Sequence, residues 1–395
     1  MARTVALAVL SIALISGVIL RSDAAFQASL QGLSIWWNIV FPGLLPYLVL
    51  FELIAAFGLT HAIGALMQPA TSRLFKLPGE AALVLVLGWL GGYPIGSEGA
   101  ADLRKRGIVT KSQGQRLLAL AHMPNPMFIL VVIGSGFLQK PFLGILIAAA
   151  VWLSALWLLF ILSMFSENAP AAGQAKPAVP MPSLLKRAAH AMYAGRQQDG
   201  RSFGKALGDS ITLSVQKLLA IGGFIIFAAV LAKLADPLLT PLLAKLGLPF
   251  ISQSLFEGHL GSYGAARWQS PSGGSLMNAA AIAAVLAWSG LGSILQASHA
   301  VSGTDLKLRP FIAVRLLHAL HAFCFTYLLS KPLSLLLDSS LPAFAGNGAA
   351  APLPAVIKHA DMPSFWSFSV SGSLLLALIA VLLAFALHAV YRRLS

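Results

Sequence analysis

The sequence predicts an all-α polytopic membrane protein of about eight transmembrane helices plus two re-entrant hairpins, arranged as two inverted repeats. Three observations lead there: composition, the placement of basic residues, and an order of broken apolar segments that occurs twice. Hydrophobic residues make up 57% of the 395-residue chain, charged residues only 10%, and the mean hydropathy is +0.81. A soluble domain carries about 25% charged residues. Apolar runs around 36–58, 142–164, 211–235 and 366–391 reach the ~20 residues that cross a hydrocarbon core. The lipid bilayer is therefore the first expected partner.

The net charge of +14 could suggest nucleic acid. The basic residues, however, sit in short loops between apolar runs, as topology requires of cytoplasmic loops, with no aromatic-interleaved basic patch. No nucleic-acid partner is expected. The single cysteine, Cys324, forbids an internal disulfide. The opening MARTVALAVLSIALISGVILRSDAAF has the elements of a signal peptide, and with so many spans following it reads as an uncleaved first helix that sets orientation.

Two shorter segments decide the topology. They are 79–100, which contains GWLGGYPIGSEG, and 249–265, PFISQSLFEGHLGSYGA. If both enter and leave on one face, 20 of the 27 Lys and Arg fall on one side. That split is more asymmetric than any with either segment crossing, so the positive-inside rule favours two re-entrant hairpins and cytoplasmic N- and C-termini in a multi-pass cell-membrane protein. Glycine and proline break helices, and non-helical backbone at membrane depth needs protein or a water-filled cavity to satisfy it.

The parts then fall in order: an N-terminal transmembrane helix (1–35), a first repeat (36–165), a cytoplasmic Pro/Ala-rich basic linker (166–210), a second repeat (211–337), and an extracytoplasmic loop with a C-terminal transmembrane helix (338–395). Each repeat reads span, broken hairpin, interrupted span, span. Residues 88–100 align on 258–270 with Gly88 on Gly258 and Tyr93 on Tyr263, and LALAHMPNPMFIL (118–130) on AVLAWSGLGSILQ (284–296). An odd number of spans separates the repeats, which inverts one against the other. Such repeats meeting at broken helices mark secondary transporters.

Ionisable groups at membrane depth are costly and mark solute or ion paths. Glu98 follows the first hairpin tip, and Glu257 with His259 accompanies the second. Glu98 has two readings, an edge carboxylate paired with Arg104 or Lys105 or a group facing a path. Glu257 is either a solute or cation site or a satisfied structural carboxylate. In HMPNPMFI, Pro124 and Pro126 each free a carbonyl from the helical ladder, and Asn125 between them can donate and accept. Ser289, Ser293 and Gln296 offer polar groups in the second half, although serines in such helices serve packing as well. Glu52 is expected to meet a hairpin dipole or to stay protonated. His318 and His321 lie three apart without a carboxylate or cysteine nearby, which reads as a packed pair; no metal and no cofactor is expected. The chain has no HExxH, GxSxG or Walker loop, so no catalytic residue is nominated and no enzyme is expected.

FPGLLPYLVLFEL (41–53), GGYPIGS (91–97), NPMFI (125–129), SGLGSILQ (289–296) and RLLHAL (315–320), in this order, resemble the YlbJ-type sporulation integral membrane proteins, which carry two Gate, or nucleoside-recognition, domains. The resemblance implies a role in endospore formation. It also implies an architecture like that of the nucleoside transporters that carry Gate domains, whose paired re-entrant hairpins and the broken helices after them hold the solute. Carried over by position, it nominates Gly92, Tyr93, Pro94, Ser97, Glu98 and Asn125, with Glu257, Ser262, Ser289 and Gln296 in the second half. The expected function is transport, or channel-like passage, of a small polar solute, nucleoside-like or ionic, with a coupling ion. The alternative is a non-transporting scaffold for spore assembly. Copies of itself or other sporulation membrane proteins are the remaining expected partners.

Overall fold

The computed structural model describes residues 2–165, 183–269 and 274–338. The expected span at 366–391, its preceding loop and the Pro/Ala-rich start of the linker lie outside the described residues. Within them every regular element is helical.

Helix α1 (Ala2–Leu20) leads almost directly into α2 (Ser22–Ile35). The chain then passes through a π-helical segment (Trp36–Val40) into α3 (Phe41–Ala56) without leaving the helix. Pro42 has no N–H for the carbonyl four residues back, and the π segment sits just before it. The boundary expected at residue 35 thus falls inside one continuous apolar helix, Ser22–Ala56. Helix α4 (Leu59–Phe75) follows a left-handed Gly58. The first hairpin is α5 (Glu80–Gly91) and α6 (Ile95–Lys105). Next come α7 (Lys111–Ala121), opened by a Thr110–Gln113 capping box, a second π segment (Phe128–Phe137) and α8 (Pro141–Met164).

In the segment expected as linker, α9 (Leu184–Asp199) is helical and lays Ala188, Ala189 and Met192 on Leu59 and Ala62 of α4. Helix α10 (Phe203–Lys245) packs against α2 and α3. The second hairpin is α11 (Ile251–Phe256) and α12 (Gly258–Arg267). It leads to α13 (Ser275–Trp288), α14 (Gly290–Ala300) and α15 (Leu308–Asp338). Helix α13 is lined with buried alanines, and those small side chains let it lie close between α8 and α15.

Among the described residues five helices are long and apolar enough to cross a membrane: Ser22–Ala56, Pro141–Met164, Phe203–Leu239, Ser275–Ala300 and Leu308–Leu335. Pro141–Met164 and Phe203–Leu239 overlie the runs expected at 142–164 and 211–235, and Ser22–Ala56 overlaps the run at 36–58. The interrupted span expected over 118–130 is two helical pieces, α7 and the π segment, separated by non-helical backbone at His122–Asn125. At 1.5 Å per residue, the 12 residues of α5 rise about 18 Å, and the 10 residues of α12 rise less; neither crosses ~30 Å of hydrocarbon alone.

Candidate functional site

Four interruptions of the helical ladder meet inside the molecule: the first hairpin tip at Gly92–Pro94, the break after α7, the second tip at Glu257, and the break at Ser289. Each exists for a reason written in the sequence. Gly92 has φ +83°, a left-handed conformation that suits glycine. Ser289 (φ +75°) and Gly290 (φ +83°) take the same region in succession and end α13. Between them the tips touch the breaks. A side chain at Gly92 would meet Asn125, and one at Gly290 would meet the backbone of Glu257.

The carbonyls released at these points are recovered by side chains. Pro94 offers no N–H to Leu90, and the Asn125 amide donates to the Leu90 carbonyl at 2.9 Å. Pro124 leaves the Leu120 carbonyl free, and Trp89 Nε1 donates to it at 2.7 Å. Pro126 leaves the His122 carbonyl free, and Arg315 Nη1 donates to it at 2.9 Å. In the second half the left-handed turn at Ser289 takes Leu286 out of the ladder. Its carbonyl accepts from Tyr93 Oη at 2.6 Å and Arg315 Nη2 at 3.3 Å. Backbone polar groups without water must be satisfied internally, and here each proline or turn has its own donor.

Asn125 does more than donate. Its Oδ1 accepts from Met127 N at 2.8 Å and Phe128 N at 3.3 Å, capping the π segment. Glu257 plays the matching role in the second half: Oε2 accepts from Leu260 N at 2.7 Å, capping α12, and Oε1 pairs with His259 Nδ1. His259 in turn sits edge-on to Phe128, ring centroids 4.2 Å apart, so the second tip rests on the first broken segment.

A cavity of about 40 Å³ lies among these groups, lined by Gly92, Tyr93, Asn125, Glu257, His259, Ser293 and Gln296, with Leu44 and Leu48 of α3 and Ile221 and Phe224 of α10. That is room for one or two waters or a monatomic ion. Of the nominated residues, Gly92, Tyr93, Asn125, Glu257 and Gln296 come together here. The others do not line it. Pro94 caps α6, and Ser97 is buried and bonded to His122 Nδ1 at 2.8 Å. Ser262 donates to the Gly258 carbonyl at 2.7 Å, and Ser289 forms the break itself. Glu98 is exposed in the first turn of α6.

Two pairings offered by the sequence and one alignment are corrected. Arg104 does not pair with Glu98; it holds Asp305 through both carboxylate oxygens, at 2.8 and 3.0 Å, tying α6 to the loop before α15. That contact lowers the Asp305 carboxyl below its ordinary range. Glu52 meets no hairpin dipole; it pairs with Lys217 of α10. The alignment of Tyr93 on Tyr263 sets the first tip against the middle of α12, whereas the second tip is at Glu257. The histidine pair is structural: His318 contacts the Val151 carbonyl at 2.9 Å and His321 the Leu317 carbonyl at 2.7 Å. Among the described residues no three His, Cys, Asp or Glu gather as metal ligands.

A family model described as Gate, nucleoside recognition, matches residues 38–138, which hold the first hairpin, the first break and Asn125. The sporulation integral membrane protein YlbJ of Bacillus subtilis is 35% identical over 332 residues, covering 80% of this chain and 80% of that protein. The chain belongs to the YlbJ family. It is thus a sporulation integral membrane protein, and the match to this YlbJ-family relative extends well beyond the region that the Gate model covers. No solved structure matches it.

Arg315, Trp89 and Lys217 are the residues that reading the sequence missed. Arg315 and Lys217 each lie within an apolar helix, a signal in principle. Charge counting put every basic residue on one side or the other and singled out neither. Trp89 carried no signal beyond its position next to GGYP.

Proposed function

We propose that the chain is a non-catalytic carrier, or channel-like pathway, for a small polar solute or ion in a membrane of the developing sporangium, with both termini cytoplasmic. The observation that carries this reading is the meeting of four backbone breaks, two from each half, around one cavity that holds a carboxylate and two carboxamides at the depth of apolar helices. In this reading the hairpins are re-entrant, the halves are inverted repeats, and one rocks against the other around the cavity. The family's description, nucleoside recognition, suggests a nucleoside-like solute. A ligand of that size calls for ~300 Å³ or more, so the breaks would have to part to admit it. An ion or a water-sized solute fits the cavity as it stands. Glu257 supplies the negative charge for a coupling cation.

The second reading, a membrane scaffold for spore assembly, is favoured by a different observation. Asn125, Tyr93 and Glu257 are already committed to backbone groups, which is what purely structural residues do.

The test is complementation of a Bacillus subtilis strain lacking its YlbJ protein. Gln296→Ala and Glu257→Gln are chosen because glutamine retains an oxygen to cap Leu260 N. Carriage predicts loss of spore heat resistance in either variant at wild-type protein level and melting temperature. Full heat resistance in both would favour the scaffold.

A further inference from the structure

We propose that Arg315 is a tethered cation: its guanidinium occupies the point where the C-terminal ends of two half-helices converge, so that no free metal cation serves there. The inference deepens the carrier reading and rests on it only for its consequence in transport, that a coupling cation must sit beside Glu257 instead.

The side chain is fully buried within an apolar helix. Among the described residues no carboxylate neutralises it; its neighbours are backbone carbonyls and the Tyr93 hydroxyl. A buried charge without a counter-charge is costly. What offsets it is the backbone. Helix α7 ends at Ala121, and α13 ends at Trp288. The carbonyls facing Arg315, those of His122 and Leu286, with Ala119 farther off at 3.4 Å, belong to the last turns or caps of these two half-helices. Each helix C-terminus is equivalent to roughly half a negative charge, and two of them amount to about one. One guanidinium with a planar fork of donors meets that potential and reaches both helices at once, which a point-charge ammonium cannot do as well. Arg315 is therefore a positioning residue: from α15 it fixes both breaks, one in each half of the chain, relative to each other.

The experiment is thermal unfolding of the full chain in lipid nanodiscs for wild type, Arg315→Lys, Arg315→Met and Arg315→Ala, with low-millimolar guanidinium or tetramethylammonium at matched ionic strength. The expected order of melting temperatures is wild type, then Arg315→Lys, then Arg315→Met. Guanidinium is expected to raise the melting temperature of Arg315→Ala by at least about 2 °C over tetramethylammonium and to leave wild type unchanged. If Arg315→Ala does not fold, the Lys-against-Met comparison decides. An Arg315→Met protein as stable as wild type would overturn the proposal, because a buried charge with no electrostatic role is replaced by an apolar chain without loss. Equal response of Arg315→Ala to both cations would overturn it also. These readouts do not involve transport, so a scaffold without any solute path would still show them if the tethered-cation assignment is right.

Discussion

Asn125 donates its side-chain amide to the Leu90 carbonyl, the one acceptor in α5 that Pro94 leaves without a ladder partner, at 2.9 Å. One residue therefore satisfies the first hairpin and, through its carbonyl oxygen, caps the helical segment that follows the first break. Asn125→Ala should remove both, at a cost of about 1–3 kcal/mol per buried group left unpaired. Asn125→Asp keeps the cap but turns a carboxylate oxygen toward the Leu90 carbonyl beside Glu257, and its loss should be at least as large. Thermal melting in nanodiscs measures the order; equal stability of all three proteins would count against the linkage.

Trp89 and Pro124 should be coupled in the same sense. Trp89→Phe strands the Leu120 carbonyl, which accepts from Trp89 only because Pro124 has no N–H. Pro124→Ala restores a donor four residues on. In a double-mutant cycle the pair should therefore show a coupling of about 0.5–3 kcal/mol, the double variant losing less than the two singles together. Strict additivity would mean that the two residues act independently.

The Glu52–Lys217 pair joins α3 to α10 one helical turn from Leu48 and Ile221, which line the cavity. The Glu52 side chain is 17% exposed and that of Lys217 34%. The burial is partial, so breaking the pair from one side should cost on the order of 1–3 kcal/mol, below a fully buried case. Glu52→Gln with Lys217→Met together should cost less than either alone. Chemical denaturation of the four proteins checks this, and a double variant worse than both singles would refute a pairwise role.

A pH effect is expected where α9 meets α4. Burial lowers the pKa of the His61 imidazole, whose ring lies against Gly195, from its ordinary 6.5. A base with a depressed folded-state pKa favours its neutral form in the folded protein. Its contribution is complete above about pH 6.5 and is lost as pH falls below that value, because the unfolded segment takes up the proton first. The protection factors of residues 184–199, which divide out the intrinsic pH dependence of exchange, should therefore fall between pH 7.5 and 5.5 in wild type and lose that fall in His61→Gln. An identical fall in the variant would assign the effect elsewhere.

Much of this arrangement was legible from residue types. Prolines at 94, 124 and 126 announce freed carbonyls, and the glycines at 92 and 290 announce turns, because those residues act through the local backbone alone. The donors that answer them were not legible. Trp89 is 31 residues from Leu120, and Arg315 is 193 from His122. No local pattern ties such distant partners together. Charge counting sorts basic residues only by side of the membrane, and so it singled out neither Arg315 nor Lys217. Glu98, prominent in the sequence beside GGYPIGS, sits exposed because the turn at Gly92–Pro94 starts α6 with Ser97 facing inward and the next residue facing away.

The central claim, a solute pathway through the cavity, is tested most directly by thiol accessibility. Gly96 and Gly261 are unsuitable positions, since a side chain would run into Ala121 at one and Ser254 at the other. Leu48→Cys and Gln296→Cys, each in a Cys324→Ala background, place the thiol on the cavity wall. The account predicts labelling by a membrane-impermeant reagent from each face in turn, with protection by one member of a panel of nucleosides and ions. No labelling from either face, at any solute, would contradict it and leave the four breaks as packing alone.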